Sequence, residues 1–230
     1  MTAKPHVKVI ELPGADCPVA IIDGFATAPE RWRQEAAGDN DGDGYAFRGD
    51  FYPGKRKPVG PAYFQDVGAR LGMIVQSVFG CSRALKIDRA LYSIVSTPDA
   101  QLSPAQRIPH IDDVATDSFA MVHYLAHSAF GGTAFYRHRS TGLARIPVHR
   151  HAEYLHSLEH DFAVHGHPRP DYIKGATSIF DQIFSVEFAF NRAIIYPGNL
   201  LHCSVVPGAI RHPDSPAIGR LTIAAFFRAS

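Results

Sequence analysis

Cysteine is scarce in this sequence: three residues among 230, namely Cys17, Cys81 and Cys203. None of them forms a CxxC pair, so a zinc site built on cysteine pairs is not expected. An odd, widely scattered set also argues against a disulfide framework. Reduced thiols are the simplest interpretation, and they are typical of a cytoplasmic protein.

The chain also lacks a strong charge imbalance and a long apolar run. It carries 23 basic and 22 acidic residues, which gives a formal net charge of +1. This balance does not indicate a nucleic-acid partner or a membrane surface. No stretch approaches the ~20 apolar residues that span a bilayer, and the first residues lack the apolar core of a signal peptide. We therefore expect a soluble protein of the cytoplasm.

What the sequence does contain is enough apolar material for an ordinary core. Hydrophobic residues make up 46% of the chain and charged residues 20%, which is usual for a globular protein. We find no repeat, no low-complexity tract and no clear linker. The expectation is a single domain over residues 1–230, with N-terminal strands and helices in about 1–85 packed on a core in about 86–230.

The first part of the chain mixes strand and helix patterns. Residues 7–12 and 19–24 are β-rich runs separated by a Pro-Gly turn, which predicts a pair of strands. A short helix is predicted over 29–37, with Thr27 as a possible cap. Apolar residues then recur at helical spacing over 61–80, which predicts an amphipathic helix lying against a sheet.

The second part is dominated by short strand-like runs. They occur at 86–96, 119–127, 192–196, 200–206 and 220–228. A helical segment at about 147–164 interrupts them, and 172–190 is ambiguous. Since strands and helices do not alternate, the pattern predicts a mainly β fold, an antiparallel sandwich or barrel whose outer face is covered by the preceding helices.

Two separated segments carry candidate metal ligands. His110 and Asp112 lie two residues apart in RIPHIDD, and on an extended chain such residues point to the same face. Asp113 would point the other way. His202 sits inside the apolar run YPGNLLHCSVV. A polar loop and a hydrogen-bonded core histidine are the ordinary alternatives, but two histidines and one carboxylate are the ligand set of non-haem iron(II) oxygenases.

A third segment carries a candidate anion-binding residue. Arg220 opens the apolar run GRLTIAAFFR near the C-terminus, where a buried cation requires an anionic partner. Thr222 lies two residues later and therefore on the same strand face. The forked guanidinium of Arg220 and the hydroxyl of Thr222 are then both available to bind a carboxylate. Arg211, in a proline-rich loop, remains an alternative anchor. Arg228, at the far end, is better explained by an ordinary salt bridge.

Taken together, these segments resemble the 2-oxoglutarate/Fe(II)-dependent dioxygenase superfamily, and most closely its prolyl-4-hydroxylase-like branch. The resembling part runs from about Leu91 to Phe227. It comprises LYSIVS, HID, VHYLAHSAFGGTAFYRH, NRAIIYPGNLLHCSVV and GRLTIAAFF. The resemblance implies a double-stranded β-helix, or jelly-roll, core.

The resemblance also implies roles for particular residues. His110, Asp112 and His202 are similar to the three iron ligands of the family. Arg220 matches the basic residue that pairs with the distal carboxylate of 2-oxoglutarate, and Tyr124 matches a tyrosine that often contacts the same carboxylate. A tight turn is implied at Gly131-Gly132-Thr133, where glycine can supply positive φ. Two features depart from the family pattern: the 18 residues from His202 to Arg220, and the long, helix-containing segment 140–190.

The activity implied by the resemblance is a hydroxylation that uses Fe(II), O2 and 2-oxoglutarate and releases succinate and CO2. The expected substrate is a small metabolite, an amino acid, a peptide or a protein side chain, and neither its identity nor the oligomeric state is predicted. Two alternatives remain open. One is a jelly-roll module that binds metal without catalysis, and the other is a cupin-type metalloenzyme that does not use 2-oxoglutarate.

Three further motifs have weaker interpretations. Residues 39–50 follow the spacing of a calcium-binding EF-hand loop, but position 12 is Asp50 rather than glutamate. Residues 149–167 contain six histidines, two of which, His156 and His160, share a helix face; a polar surface is favoured over a second metal site. The basic run 55–57 is interpreted as a solvated loop, with a lip for an anionic substrate as the alternative.

Overall fold

A computed structural model describes residues 4–38, 44–48, 51–128, 130–207 and 213–229. Within these ranges the chain forms ten strands and three α-helices. In chain order they are β1 His6–Glu11, β2 Pro18–Asp23, α1 Pro29–Ala37, β3 Gly54–Pro58, α2 Ala62–Phe79, β4 Leu85–Val95, β5 Ser118–Tyr124, β6 Thr133–His138, α3 His151–His165, β7 Phe180–Val186, β8 Arg192–Pro197, β9 His202–Ser204 and β10 Leu221–Ala229.

The strands form two antiparallel sheets. The major sheet has seven strands in the order β1-β2-β8-β5-β10-β4-β3, and the minor sheet has three in the order β7-β6-β9. Sequence neighbours are often separated in these orders, as expected when a chain winds between two facing sheets. The fold is mainly β with flanking helices and a double-stranded β-helix core, so the predicted fold class is confirmed.

Helix α2 covers the outer face of the major sheet. Its buried residues are Tyr63, Val67, Leu71, Ile74 and Val75, spaced by three or four so that they share one face. The helix ends at Gly80 in the left-handed conformation, which glycine adopts without strain. The amphipathic helix predicted over 61–80 is therefore confirmed. In the described part of the chain, no helix combines the length and the apolar character needed to cross a membrane.

Successive side chains of strand β10 point alternately into two different environments. Leu221, Ile223, Ala225 and Phe227 belong to the apolar core that the major sheet shares with α1 and α2. The intervening residues point instead into the space between the sheets, because successive side chains of a strand face opposite sides. A second apolar core, which includes Phe135 of β6, fills part of that space.

Several local expectations are corrected. Thr27 does not cap α1: the cap position is Ala28, without a side-chain hydrogen bond. Thr27 instead donates its hydroxyl to Asp66, which also accepts a 2.7 Å hydrogen bond from Nε1 of Trp32. The run 55–57 is not a loop but part of the edge strand β3. Strand β9 spans only His202–Ser204 and is shorter than the predicted 200–206, because Leu200 forms only an isolated bridge with Arg145.

Candidate metal centre and its cavity

The structure brings together His110, Asp112 and His202. Each contributes a potential ligand atom, and the three atoms lie within 4.8 Å of one another. Nε2 of His110 is 3.9 Å from Oδ1 of Asp112, and Nε2 of His202 is 3.5 Å from Oδ2. Such separations suit three donors around one ion rather than direct hydrogen bonds between them.

Backbone hydrogen bonds fix the spacing of the cluster. The amide of His110 donates to the carbonyl of His202 at 2.9 Å, and the amide of His202 returns a bond of the same length. The amide of Asp112 donates to the carbonyl of Gly198 at 2.8 Å. Asp113 faces elsewhere, since its carboxylate accepts a hydrogen bond from Arg228 at 2.8 Å. Peptide groups therefore position all three candidate ligands.

The hydrogen bonding of His202 leaves one ring nitrogen available. Its Nδ1 lies 2.8 Å from the carbonyl oxygen of Leu200. Because a carbonyl can only accept, Nδ1 carries the proton and Nε2 keeps its lone pair. A metal-binding histidine is commonly oriented in this way by a second hydrogen bond. Burial, together with the neighbouring His202, lowers the pKa of His110 well below its usual value, which favours a neutral ring.

The carboxylate of Asp112 lacks the partners that burial normally requires. Its Oδ2 is buried and receives no hydrogen bond from any residue described. Burial raises the pKa of Asp112, against the opposing effects of His202, Arg56 and Arg89. A buried charge is costly unless it is paired or coordinates a metal. The two imidazoles and the orphaned carboxylate oxygen thus form a donor set that fits a divalent cation.

Arg220 is buried in the same cavity, where it is 3% exposed. Its Nε donates to the carbonyl of Gly131 at 3.0 Å and its Nη2 to the carbonyl of Gly132 at 2.8 Å. No carboxylate of the described residues forms an ion pair with it. Carbonyls orient the guanidinium but do not neutralise it, so the site has an unmet requirement for an anion.

The other two predicted anion-binding residues lie beside Arg220 but differ in role. Thr222 lines the cavity together with Arg220 and the three candidate ligands. Tyr124 is fully buried, and its hydroxyl lies 2.8 Å from Oγ1 of Thr133. Thr133, not Tyr124, lines the cavity. Tyr124 therefore orients the threonine hydroxyl, and Thr133 is an additional polar group facing the site.

Gly131 and Gly132 are required by close backbone approach rather than by positive φ. Neither has a φ in the left-handed region, so the expected reason for glycine in this turn is wrong. A Cβ on Gly132 would lie 1.7 Å from the carbonyl oxygen of Val186, and one on Gly131 would lie 2.2 Å from that of Val205. Because neither glycine has a side chain, the backbone can approach Val186 and Val205 closely. In this position the carbonyl groups of Gly131 and Gly132 accept hydrogen bonds from Arg220.

Two arginines lie near the metal cluster: the sequence gives no site role to Arg89, and it gives Arg56 one only through the alternative that the run 55–57 is a lip for an anionic substrate. Arg56, on β3, is 7% exposed, and its guanidinium lies 4.0 Å from the ring centre of Tyr52. It lines the cavity that contains His110 and Asp112. Arg89, on β4, lines the outer part of the same space. Alternation within a basic edge strand is the only sequence signal that could have indicated an inward-facing Arg56.

The remaining predicted site motifs are not brought to this cluster. Four acidic positions of the EF-hand-like run, at 39, 41, 43 and 50, lie outside the described residues, as does Arg211. His156 and His160 lie on α3, and within the described ranges the cluster of His110, Asp112 and His202 is the only group with metal-binding geometry.

The comparisons with known proteins identify a family. The sequence model of a family described as "Family of unknown function (DUF6445)" matches residues 3–227. The chain therefore belongs to this family. No curated protein matches the sequence. The family description names no activity, so a function must be inferred from the cavity itself.

Solved structures with a similar arrangement of the chain share little sequence with it. HygX from Streptomyces hygroscopicus, solved with nickel, 2-oxoglutarate and hygromycin B bound, is 12% identical, with a TM-score of 0.46 over 91% of this chain and 81% of that one. SnoN, a non-haem α-ketoglutarate-dependent epimerase from nogalamycin biosynthesis, is 12% identical, with a TM-score of 0.43 over 91% and 76%. AviO1 from Streptomyces viridochromogenes Tue57 is 12% identical, with a TM-score of 0.41 over 86% and 77%.

Proposed function

We propose that the protein is an Fe(II)- and 2-oxoglutarate-dependent oxygenase that hydroxylates a small substrate and releases succinate and CO2. The observation that carries this proposal is the position of His110, Asp112 and His202 beside the buried Arg220 in one cavity. A cation site and an anion site thus lie next to each other. A co-substrate that chelates iron at one end and carries a carboxylate at the other would satisfy both.

The choice of iron follows from the donors together with the neighbouring Arg220, because two histidines and a carboxylate can also hold a catalytic zinc ion. Two imidazoles and one carboxylate form the facial triad of non-haem Fe(II) oxygenases, which leaves coordination positions open for other ligands. A structural zinc site would close its coordination sphere with protein ligands, usually including cysteine. Cys203 does not supply such a ligand, since the donor group comprises only the two histidines and Asp112.

The choice of 2-oxoglutarate follows from Arg220 and its surroundings. The guanidinium is held in a fixed plane by the carbonyls of Gly131 and Gly132, and such a fork matches a carboxylate. Thr133 and Thr222 add hydroxyl groups on the same cavity wall. We assign these three side chains to the distal carboxylate of 2-oxoglutarate, with Tyr124 positioning Thr133.

When bound, iron and 2-oxoglutarate supply the O2-dependent oxidising chemistry, as cofactors do in general. The residues of the chain then have simpler tasks. His110, Asp112 and His202 hold the metal, and Arg220 sets the orientation of the co-substrate. Small or apolar side chains line the rest of the inner wall, including Ala120, Val122 and Ala224. They leave room for a ligand and limit the water around it.

The principal alternative is a module that binds metal and 2-oxoglutarate but oxidises no substrate. A cupin-type enzyme without 2-oxoglutarate is less well supported, since it would leave the buried Arg220 without an assigned anion. The first experiment must therefore test turnover of the co-substrate.

The test is succinate formation by the purified protein with Fe(II), ascorbate and 2-oxoglutarate under air. We expect slow succinate release in the absence of substrate, and faster release when a substrate is added from a metabolite collection. The change Asp112→Ala should remove most iron affinity and nearly all succinate formation, because it deletes the only anionic ligand.

The control for this test is Asp171→Ala, which removes a surface carboxylate paired with Lys174 and should leave turnover unchanged. Succinate formation that survives Asp112→Ala would contradict the proposed metal site. Binding of iron and 2-oxoglutarate without succinate release, even with a substrate collection present, would favour the non-catalytic alternative.

A further inference from the structure

A second cavity opens from the metal cluster toward solvent and is not used by the co-substrate proposed above. We call it the outer cavity. It shares His110, Asp112, Tyr52, Arg56, Ser204 and Phe226 with the inner space that holds Arg220. Arg89, Gln106, Ile108, Ile111, Tyr172 and Ile173 line the outer cavity but not the inner space. A molecule in this cavity would lie directly beside the metal position.

The charges of this wall are uneven. Arg56 and Arg89 both line the outer cavity, whereas the only carboxylate among its described lining residues is Asp112. Asp112 is already assigned to the metal. A cleft lined by one sign of charge within low-dielectric walls concentrates ligands of the opposite sign. The outer cavity therefore favours an anion.

Arg89 is presented in a way that suits anion binding. It faces Phe226 across the β4–β10 pairing, with its guanidinium 4.5 Å from the ring centre. Stacking on an aromatic face holds the guanidinium plane while leaving the N–H groups at its edge available. No residue in the described ranges forms an ion pair with Arg89. By contrast, Arg228, two residues after Phe226 on β10, forms ion pairs with Asp88 and Asp113.

The remaining wall is apolar and held in place by hydrogen bonds. Ile108, Ile111, Ile173 and Phe226 contribute carbon surface. The side-chain amide of Gln106 donates to the carbonyl of Tyr52 at 3.3 Å and accepts from the amide of Ser103. The hydroxyl of Tyr172 donates to the carbonyl of Thr97 at 2.7 Å. Three loops are thus joined into a preformed site for a partly apolar ligand.

We propose that the substrate is a small organic anion, with a carboxylate or phosphate group that pairs with Arg89 and an apolar body that lies against the isoleucines beside the metal. Calling this ligand a substrate rests on the proposed oxygenase function. The binding preference itself rests only on the wall described above.

The experiment uses the protein loaded with Zn(II), which is inert to O2, and saturated with 2-oxoglutarate. The probes are matched pairs of small molecules: 3-phenylpropanoate with 3-phenylpropanamide, and phenyl phosphate with phenol. Binding is measured by calorimetry and by ligand-observed NMR. The variants are Arg89→Gln and, as a control, Lys86→Gln, which removes an exposed cation from the same strand outside the cavity.

We expect each anion to bind at least about tenfold more tightly than its neutral partner, as a charge-assisted hydrogen bond provides. Arg89→Gln should abolish this preference, and Lys86→Gln should preserve it. The relative affinities of the two anions distinguish a carboxylate site from a phosphate site. Thermal unfolding of each variant establishes that the fold is retained.

Three results would overturn the proposal: no binding of either anion, equal binding of the neutral partners, or an unchanged anion preference in Arg89→Gln. Displacement of 2-oxoglutarate by the anions would also overturn it, because it would place them at Arg220. Failure of the oxygenase function would be distinguished by titrating Zn(II) and 2-oxoglutarate separately. Loss of 2-oxoglutarate binding with a retained, Arg89-dependent anion preference contradicts that function but not this site.

Discussion

At the scale of single residues, Arg220 is the most exacting feature of the cavity, because a buried guanidinium is oriented by carbonyls and lacks a carboxylate partner among the described residues. We predict that Arg220→Gln raises the 2-oxoglutarate concentration required for half-maximal succinate formation by at least about tenfold. Removing one partner of a buried charged hydrogen bond costs about 2–5 kcal/mol, and tenfold corresponds to about 1.4 kcal/mol. Iron binding should persist.

Two comparison variants make the Arg220 measurement specific. Arg83→Gln removes an arginine that does not line the cavity, and it should leave the 2-oxoglutarate requirement unchanged. Arg211→Gln tests the alternative anchor. If Arg211→Gln raises the requirement while Arg220→Gln does not, the anion site has been assigned to the wrong arginine.

Gly132 provides a second test at this scale. A Cβ at this position would meet the carbonyl oxygen of Val186 at 1.7 Å, so Gly132→Ala must displace backbone. We predict a loss of about 1–3 kcal/mol in the free energy of unfolding, as is usual for overpacking, measured by urea denaturation. Gly72→Ala is the matched control, because its Cβ would meet nothing within 4 Å. Replacing that helical glycine should stabilise the protein by roughly 0.5–1 kcal/mol.

The site residues were accessible to sequence reasoning to different degrees. The two-residue spacing of His110 and Asp112 suffices to predict that they share a face, and His202 is conspicuous in an apolar run. Thr133, Arg56 and Arg89 carry no comparable signal. The inward direction of Arg56 and Arg89 depends on which strands become neighbours, and that arrangement is set by tertiary pairing, which local pattern does not contain.

At the scale of elements, His123 joins strand β5 to helix α2 and to the loop before β8. Its Nδ1 lies 2.9 Å from the hydroxyl of Tyr63, and its Nε2 lies 3.0 Å from Oδ1 of Asn191. Asn191 also bonds both backbone groups of Ala26, so its Oδ1 accepts from Nε2–H and Tyr63 donates to Nδ1. Burial lowers the pKa of His123 from 6.5 to about 4, against weaker opposing effects of Asn191 and Asp66.

This histidine predicts an acid-sensitive stability. Because the folded pKa is depressed, the native state favours the neutral ring, and the resulting stability is present above the unfolded pKa of 6.5. It is lost progressively as the pH falls toward 4, by about 2–3 kcal/mol at about pH 4.5. His123→Gln, which can still donate and accept, should reduce that dependence. The check is the difference in unfolding free energy between about pH 7.5 and pH 4.5, for both proteins. Equal differences would contradict the assignment.

The helices and strands differ in how well the apolar periodicity of the sequence predicts them. Helix α2 and strands β4, β5, β8 and β10 follow apolar periodicity closely enough to be predicted. Strand β3 does not, because its sequence GKRKP reads as a polar loop. Charged residues are common on edge strands, and β3 lies at the edge of the major sheet. The polar composition of β3 therefore does not predict a strand, and only the pairing with β4 identifies it as one.

At the scale of the whole molecule, the metal cluster lies beside apolar cores that do not include its ligands. Each core is formed by side chains independent of the ligands, and backbone bonds already set the spacing of His110 and His202. We predict that removing metal with a chelator leaves the circular dichroism spectrum and cooperative unfolding intact. The melting temperature should fall, because ligand that binds only the native state adds stability by mass action. A chelator-induced loss of secondary structure would contradict this prediction.

The two halves of the cavity are built from different kinds of backbone. Arg220 and Thr222 lie at the start of β10, and His202 opens β9, whereas Tyr52, Gln106 and Tyr172 approach from three separate connections between elements. Loops accept substitution and insertion far more readily than paired strands. Substitutions or insertions in these connections can therefore change which ligands the entrance admits without disturbing the strands that carry Arg220 and His202.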